Sequence, residues 1–139
     1  MILYVFISCV KNIIGVHNRV NIMMKKLKIK DYIIVVGGNQ NKYNDNTHIL
    51  HINCNDNYEG LPEKVIKTYN FLYKNHIFSK YTHLLKMDDD AIINKSINHI
   101  NLCDYGGHIN SEEGNRSWHV GKCSKSDWNN KPYIGTYVP

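Results

Sequence analysis

No two cysteines of this 139-residue chain stand close together. Cys9, Cys54, Cys103 and Cys123 form no CxxC pair, which excludes a zinc ribbon and a thioredoxin-type redox site. Cys9 and Cys103 fall in apolar, strand-like surroundings where a reduced, buried thiol is expected, so the cysteines fix no redox compartment. Long apolar runs are lacking too. The opening stretch, Met1 to Val10, is too short to span a bilayer and has no basic n-region; a buried strand accounts for it better. No transmembrane segment, signal peptide or membrane anchor is visible, and the compartment stays open. Repeats and low-complexity linkers are also missing. With three prolines and 42% hydrophobic residues, the composition is that of one ordinary globular domain over residues 1–139, not of a disordered chain.

What is present in excess is positive charge, a formal +5 with pI near 9.0. That suits a polyanionic partner, either nucleic acid or a diphosphate. The basic residues are scattered, and their one run is Lys25, Lys26, Lys28 and Lys30. Its spacing is that of the solvated face of a helix, which makes nucleic acid the less favoured partner.

The periodicity predicts alternating strands and helices. Ile2–Ser8 reads as a central strand buried on both faces. His17–Lys30 repeats Val20, Met23, Met24 and Leu27 at helical spacing. Ile33–Val36 is a second buried strand, closed by Gly37-Gly38 at a sharp turn. Residues 39–46 read as a loop and His48–Asn53 as a third strand. Leu61-Pro62-Glu63 opens a long helix running to about Asn75, with Val65, Ile66, Tyr69, Leu72 and Tyr73 as its inward stripe. Tyr81–Met87 is a fourth strand that ends in Asp88-Asp89-Asp90 and continues through Ala91-Ile92-Ile93. A short helix through Leu102 and strands over Asp104–Asn110 and Ser117–Lys122 follow. The pattern is that of an α/β domain with a mostly parallel sheet, in which ligands bind outside the carboxyl ends of the strands.

The aspartate triplet stands at such an end. Two like charges about 4 Å apart repel by roughly 4 kcal/mol at an effective dielectric of 20. Along a strand Asp88 and Asp90 share a face and Asp89 points away. A divalent cation relieves the repulsion, and hard oxygen ligands suit magnesium or manganese. Such an ion bridges to a diphosphate and steadies it as a leaving group. An acidic surface turn is the plain alternative, but the apolar residues on both sides favour metal binding.

The run Lys86-Met87-Asp88-Asp89-Asp90-Ala91-Ile92-Ile93 resembles the K-x-DDD-h-h-h element of glycosyltransferase family 31, the β-1,3-galactosyltransferase and Fringe-related family. Upstream, residues 55–64, from Asn55-Asp56-Asn57-Tyr58 to Lys64, resemble that family's D-x-Y-x-N-L-x-x-K segment. Ile33–Gly37 and Tyr105-Gly106-Gly107 resemble further elements, in the family's order. The resemblance implies a GT-A fold, a UDP-sugar donor, Mn2+ (or Mg2+), and inverting transfer to an acceptor hydroxyl. It implies Asp90 as the metal ligand, and the strand alternation above adds Asp88 to the ion. Asp88 and Asp89 would contact the nucleotide ribose or the donor sugar. Lys64 would stand near the nucleotide pocket or in a buried pairing. Of the family's R-x-x-x-R-x-T-W-like segment only Asn18-Arg19 remains, which leaves Arg19 as the candidate for donor-side anchoring. The acceptor segment, the acidic element with the catalytic base and the later histidine ligand are not in these residues. The chain is therefore expected to be the N-terminal part of such an enzyme, C-terminally incomplete.

Other residues read more plainly. Trp118 and Trp128 pack or line a sugar-facing groove, and His119 with Cys123 is better explained structurally than as a metal pair. His48 and His51 lie on opposite strand faces and are not joint ligands. His83 reads as a satisfied core or sheet-edge histidine. Three functions remain open: a metal-dependent glycosyltransferase, a donor-binding chain without catalysis, and a small basic nucleic-acid-binding protein.

Overall fold

The computed structural model describes residues 1–97, 106, 114–115 and 132–133. The chain divides into two compact units, Met1–Asn98 and His99–Pro139. In the second, Gly114–Asn115 pairs antiparallel with Pro132–Tyr133. Apart from Gly106, the helix end and strands expected beyond residue 97 lie outside the described residues, as do Cys103, Trp118, His119, Cys123 and Trp128.

The first unit is an α/β layer structure around five strands: β1 (Ile2–Ile7), β2 (Tyr32–Gly38), β3 (Lys42–Asn44), β4 (Ile49–Asn53) and β5 (His83–Asp88). Their order across the sheet is β3-β4-β2-β1-β5, with only β3 antiparallel to its neighbour. β1 and β2 are buried along almost their whole length, which is why they read as unbroken apolar runs.

Helix α1 (Ile13–Lys26) joins β1 to β2, and α2 (Leu61–Lys74) joins β4 to β5. The chain moves outward from β1 to β2 to β4, then returns to the other side of β1 for β5. Right-handed crossovers in opposite directions put their helices on opposite faces. The core is split accordingly. Leu3, Val5, Ile7, Ile33, Val35, Leu50 and Ile52 pack with Leu72 of α2. Tyr4, Phe6, Tyr32 and Ile34 pack with Val16, Val20 and Met24 of α1. Each such side chain contributes about 1.5–3 kcal/mol by leaving water.

The reversal creates a switch point at the carboxyl ends of β1 and β5, the place where open α/β sheets bind ligands. The register Ile7↔Asp88 brings the first residue after β1 level with the second aspartate.

Several local expectations are corrected. Helix α1 starts and ends about four residues earlier than expected. Lys28 takes a left-handed φ of 57°, and the N–H of Ile29 returns to the carbonyl of Met24 at 2.9 Å, closing the helix. Lys25 and Lys26 are exposed in its last turn, and Lys28 and Lys30 are exposed beyond it. Residues 42–44 form an edge strand on β4, anchored by the half-buried Tyr43. Gly37 and Gly38 continue β2 and pair with Ile52 and Asn53, so they make no turn. Helix α2 keeps part of its expected stripe: Leu72 is buried and Val65 packs on the core, but Lys64 and Thr68 also face inward, while Ile66 is 61% and Tyr73 75% exposed. Among the described residues no helix is long and apolar enough to cross a membrane.

Candidate functional site

The carboxyl edge of the sheet is organised by a polar chain that starts on Asp56, just after β4. Its Oδ1 accepts from the N–H of Gly37 at 2.6 Å, and its Oδ2 from the N–H of Val10 at 2.5 Å. The same Oδ1 lies 2.6 Å from Nζ of Lys64. Lys64 projects inward from α2, 2% exposed, and donates to the carbonyl of Ser8 at 2.7 Å. Ser8, the buried residue that follows β1, donates its hydroxyl to Asp89 Oδ2 at 2.8 Å. Arg19 of α1 donates to the carbonyl oxygen of Asp89. Residues from β2, α1 and α2 and from the segments after β1, β4 and β5 thus converge at the carboxyl edge.

Burial by itself would raise the Asp56 pKa. The hydrogen bonds from Lys64, Val10 and Gly37, together with the lysine charge, outweigh it, and the carboxyl is held below its ordinary value of 3.8. Asp56 is therefore ionised and already paired. Gly37 is required for this contact, since a Cβ there would stand 2.6 Å from both Cβ and Oδ1 of Asp56.

Strand β5 stops at Asp88, and the N–H of Ala91 bonds back to the carbonyl of Asp88 at 3.1 Å. Asp89 and Asp90 are thus the central residues of a tight turn, a role suited to aspartate. This corrects the expectation that the strand runs on through Ile93, and with it the strand alternation expected for Asp90. Ile92 is 76% exposed, whereas Ile93 packs on the α1 side of the core. Asp88 and Asp90 are exposed, and Asp88 lies 3.2 Å from Nζ of Lys86. Between exposed groups that ion pair contributes at most about 1 kcal/mol.

Arg19, Asp88, Asp89 and Asp90 therefore share one corner of the sheet. Lys64 reaches the same edge, but of its two expected positions it takes the buried pairing, and its ammonium is occupied within the fold. Ser8 and Asp56 were not singled out from the sequence. The available signals were a polar residue closing the apolar run 2–7, and an aspartate opening the segment that ends at Lys64. Among the described residues no three His, Cys, Asp or Glu side chains are grouped to hold a metal ion.

Of the described histidines, His48 and His76 lie elsewhere. His48 precedes β4 with a left-handed φ of 56° and stacks on Tyr32, ring centroids 4.3 Å apart. A cleft of about 410 Å³ lies at the opposite, amino-terminal end of the sheet, lined in part by Tyr43, Phe71, His76 and Tyr81. Its Tyr81 hydroxyl already donates to Asp31 at 2.7 Å. The carboxyl edge is the better candidate because the strand order reverses there and exposed carboxylates border it.

The chain matches no protein-family model, no curated protein and no solved structure.

Proposed function

We propose that this chain binds the diphosphate of a UDP-sugar, together with Mn2+ or Mg2+, at the corner formed by β1, β5 and α1. In this reading the sheet is the nucleotide-binding half of a GT-A fold, and the chain is akin to glycosyltransferase family 31. One observation carries the reading: the Asp88–Asp90 triplet ends β5 at the topological switch point, next to the end of β1. The sequence resemblance over residues 55–64 and 86–93, the second of which includes the triplet itself, is in keeping with it.

The residues fit the protein's share of such an ion rather than a complete site. Magnesium and manganese sites of this kind use one or two carboxylates and complete their shell with water and substrate phosphate. Asp90 and Asp88, both exposed, would supply those carboxylates. When bound, the cation would neutralise the diphosphate and help UDP depart. Asp89 is held by Ser8, with its backbone carbonyl engaged by Arg19, and in this reading it would border the ribose or sugar side. Arg19 adds positive charge beside the diphosphate.

Inverting transfer also needs a base for the acceptor hydroxyl. Asp56 is a poor one, since its lowered pKa and its ion pair with Lys64 leave it little proton affinity. The second reading is donor binding without transfer. Calorimetry with UDP, with and without Mn2+, on wild type and Asp90→Ala tests the donor site. Metal-dependent binding that the substitution abolishes supports it, and affinity indifferent to chelator overturns it. An assay for sugar transfer or donor hydrolysis then separates the two readings.

A further inference from the structure

We infer that Ser8 is a positioning residue for the donor site, holding Asp89 in place from beneath the aspartate turn. The inference rests on the donor-binding reading above and deepens it.

Ser8 is 5% exposed, so its hydroxyl is a buried polar group whose partner matters. That partner is Asp89 Oδ2 at 2.8 Å, across the boundary between β1 and β5. The backbone of Ser8 is fixed on both sides. Its N–H donates to Val35 of β2 at 2.8 Å, and its carbonyl accepts from Lys64 at 2.7 Å. Lys64 is in turn anchored by Asp56, which itself holds the N–H groups of Gly37 and Val10. The hydroxyl therefore sits on a rigid platform, whereas Asp89 lies in a turn whose neighbours Asp88 and Asp90 are exposed.

A carboxylate in a turn has several rotamers, and one buried donor selects among them. With Asp89 drawn toward Ser8, the triplet does not present three converging charges to solvent. Asp88 and Asp90, its exposed neighbours, are left as the carboxylates open to a cation, Asp88 with Lys86 Nζ 3.2 Å away. Losing a hydrogen-bond partner of a metal ligand typically costs about 10–100-fold in affinity, and Ser8 acts one step further out, through the turn that carries Asp88 and Asp90. Lys64 takes part through the Ser8 backbone, which gives its buried charge a role without contact to nucleotide.

The test is calorimetric titration of the full chain with UDP in Mn2+, for wild type, Ser8→Ala and Ser8→Thr, with melting temperatures measured alongside. Ser8→Ala should bind on the order of tenfold more weakly while its melting temperature stays within a few degrees of wild type. Ser8→Thr keeps the hydroxyl and should retain most of the affinity. Equal affinity of wild type and Ser8→Ala overturns the positioning role and leaves the donor site standing. Equal weakening in the alanine and threonine variants marks Ser8 as packing only, and also overturns it. A wild type that does not bind UDP in Mn2+ removes the donor-binding reading, and the role of Ser8 with it.

Discussion

Lys64 and Asp56 form an ion pair at 2.6 Å inside the carboxyl edge of the sheet, the lysine side chain 3% and the aspartate 24% exposed. Two further N–H groups and one carbonyl complete their hydrogen bonding. Such a pair adds little net stability over an apolar replacement, but removing one partner strands the other. It ties α2 to the ends of β1 and β2 and to the loop after β4, so its loss reaches the whole corner.

Asp56→Asn should therefore destabilise the chain by about 3 kcal/mol, because the Lys64 charge is left facing a neutral amide. Chemical denaturation midpoints of wild type and variant measure this directly. A difference under about 0.5 kcal/mol would mean that the lysine finds another partner or loses its proton at no cost.

The same pair sets an acid limit. The folded pKa of Asp56 lies below its ordinary value of 3.8. Its contribution is thus complete above that value and is lost as the pH falls through the lower, folded pKa. The stability gap between wild type and Asp56→Asn should be constant near neutrality and shrink below about pH 4. A gap that does not change between pH 6 and pH 2 would contradict the assignment.

Gly37→Ala probes the same corner by crowding. The new Cβ would meet Cβ and Oδ1 of Asp56 at 2.6 Å and its backbone Cα at 2.9 Å, so more than a side-chain tip must move. Overpacking of this kind costs about 1–3 kcal/mol. The loss should be smaller in an Asp56→Ala background, where the clash with Oδ1 is absent. A double-mutant cycle of denaturation energies checks that coupling.

How much of this was legible follows from where the signals lie. The apolar runs of β1 and β2 declare themselves because both faces of those strands are buried. The aspartate triplet declares its position because it ends the next apolar run. The inward face of α2 does not. Lys64 and Thr68 take core positions beside Leu72 while Ile66 and Tyr73, which hydrophobic periodicity places inward, face solvent, and the Asp56 carboxylate with the Ser8 carbonyl makes a buried lysine tolerable. Gly37-Gly38 likewise looks like a turn until the Asp56 carboxylate is seen to occupy the space of the absent side chain. The role of Ser8 depends on two strands lying side by side, with partners 81 residues apart. No local pattern encodes that.

At the amino-terminal end of the sheet, burial and the hydrogen bond to Asp31 push the Tyr81 phenol well above its ordinary value. Burial and the Asp45 charge push Tyr43 to about 12. A raised phenol pKa gives stability that is fully present below about pH 10, the unfolded value, and is lost as the pH rises through the folded one. Wild type should weaken progressively above pH 10. Tyr81→Phe should cost about 1 kcal/mol at pH 7, the net worth of one hydrogen bond, and lose less on further alkalinisation. Ultraviolet difference titration should show one fewer late-ionising tyrosine in the variant.

Asp90 separates ligand binding from folding because its side chain is exposed in the aspartate turn. Asp90→Ala should leave the melting temperature without ligand nearly unchanged, since surface substitutions usually shift stability by under about 0.5 kcal/mol. A ligand that binds only the folded chain stabilises it by about 2.7 kcal/mol at a hundred times its Kd. Melting of wild type in Mn2+ and excess UDP should therefore rise by several degrees, and the rise should vanish in chelator. Asp90→Ala should show no rise in either condition. A shift of equal size with chelator present would mean that the nucleotide binds without a cation. A shift retained by Asp90→Ala in Mn2+ would move the metal away from the last aspartate of the triplet.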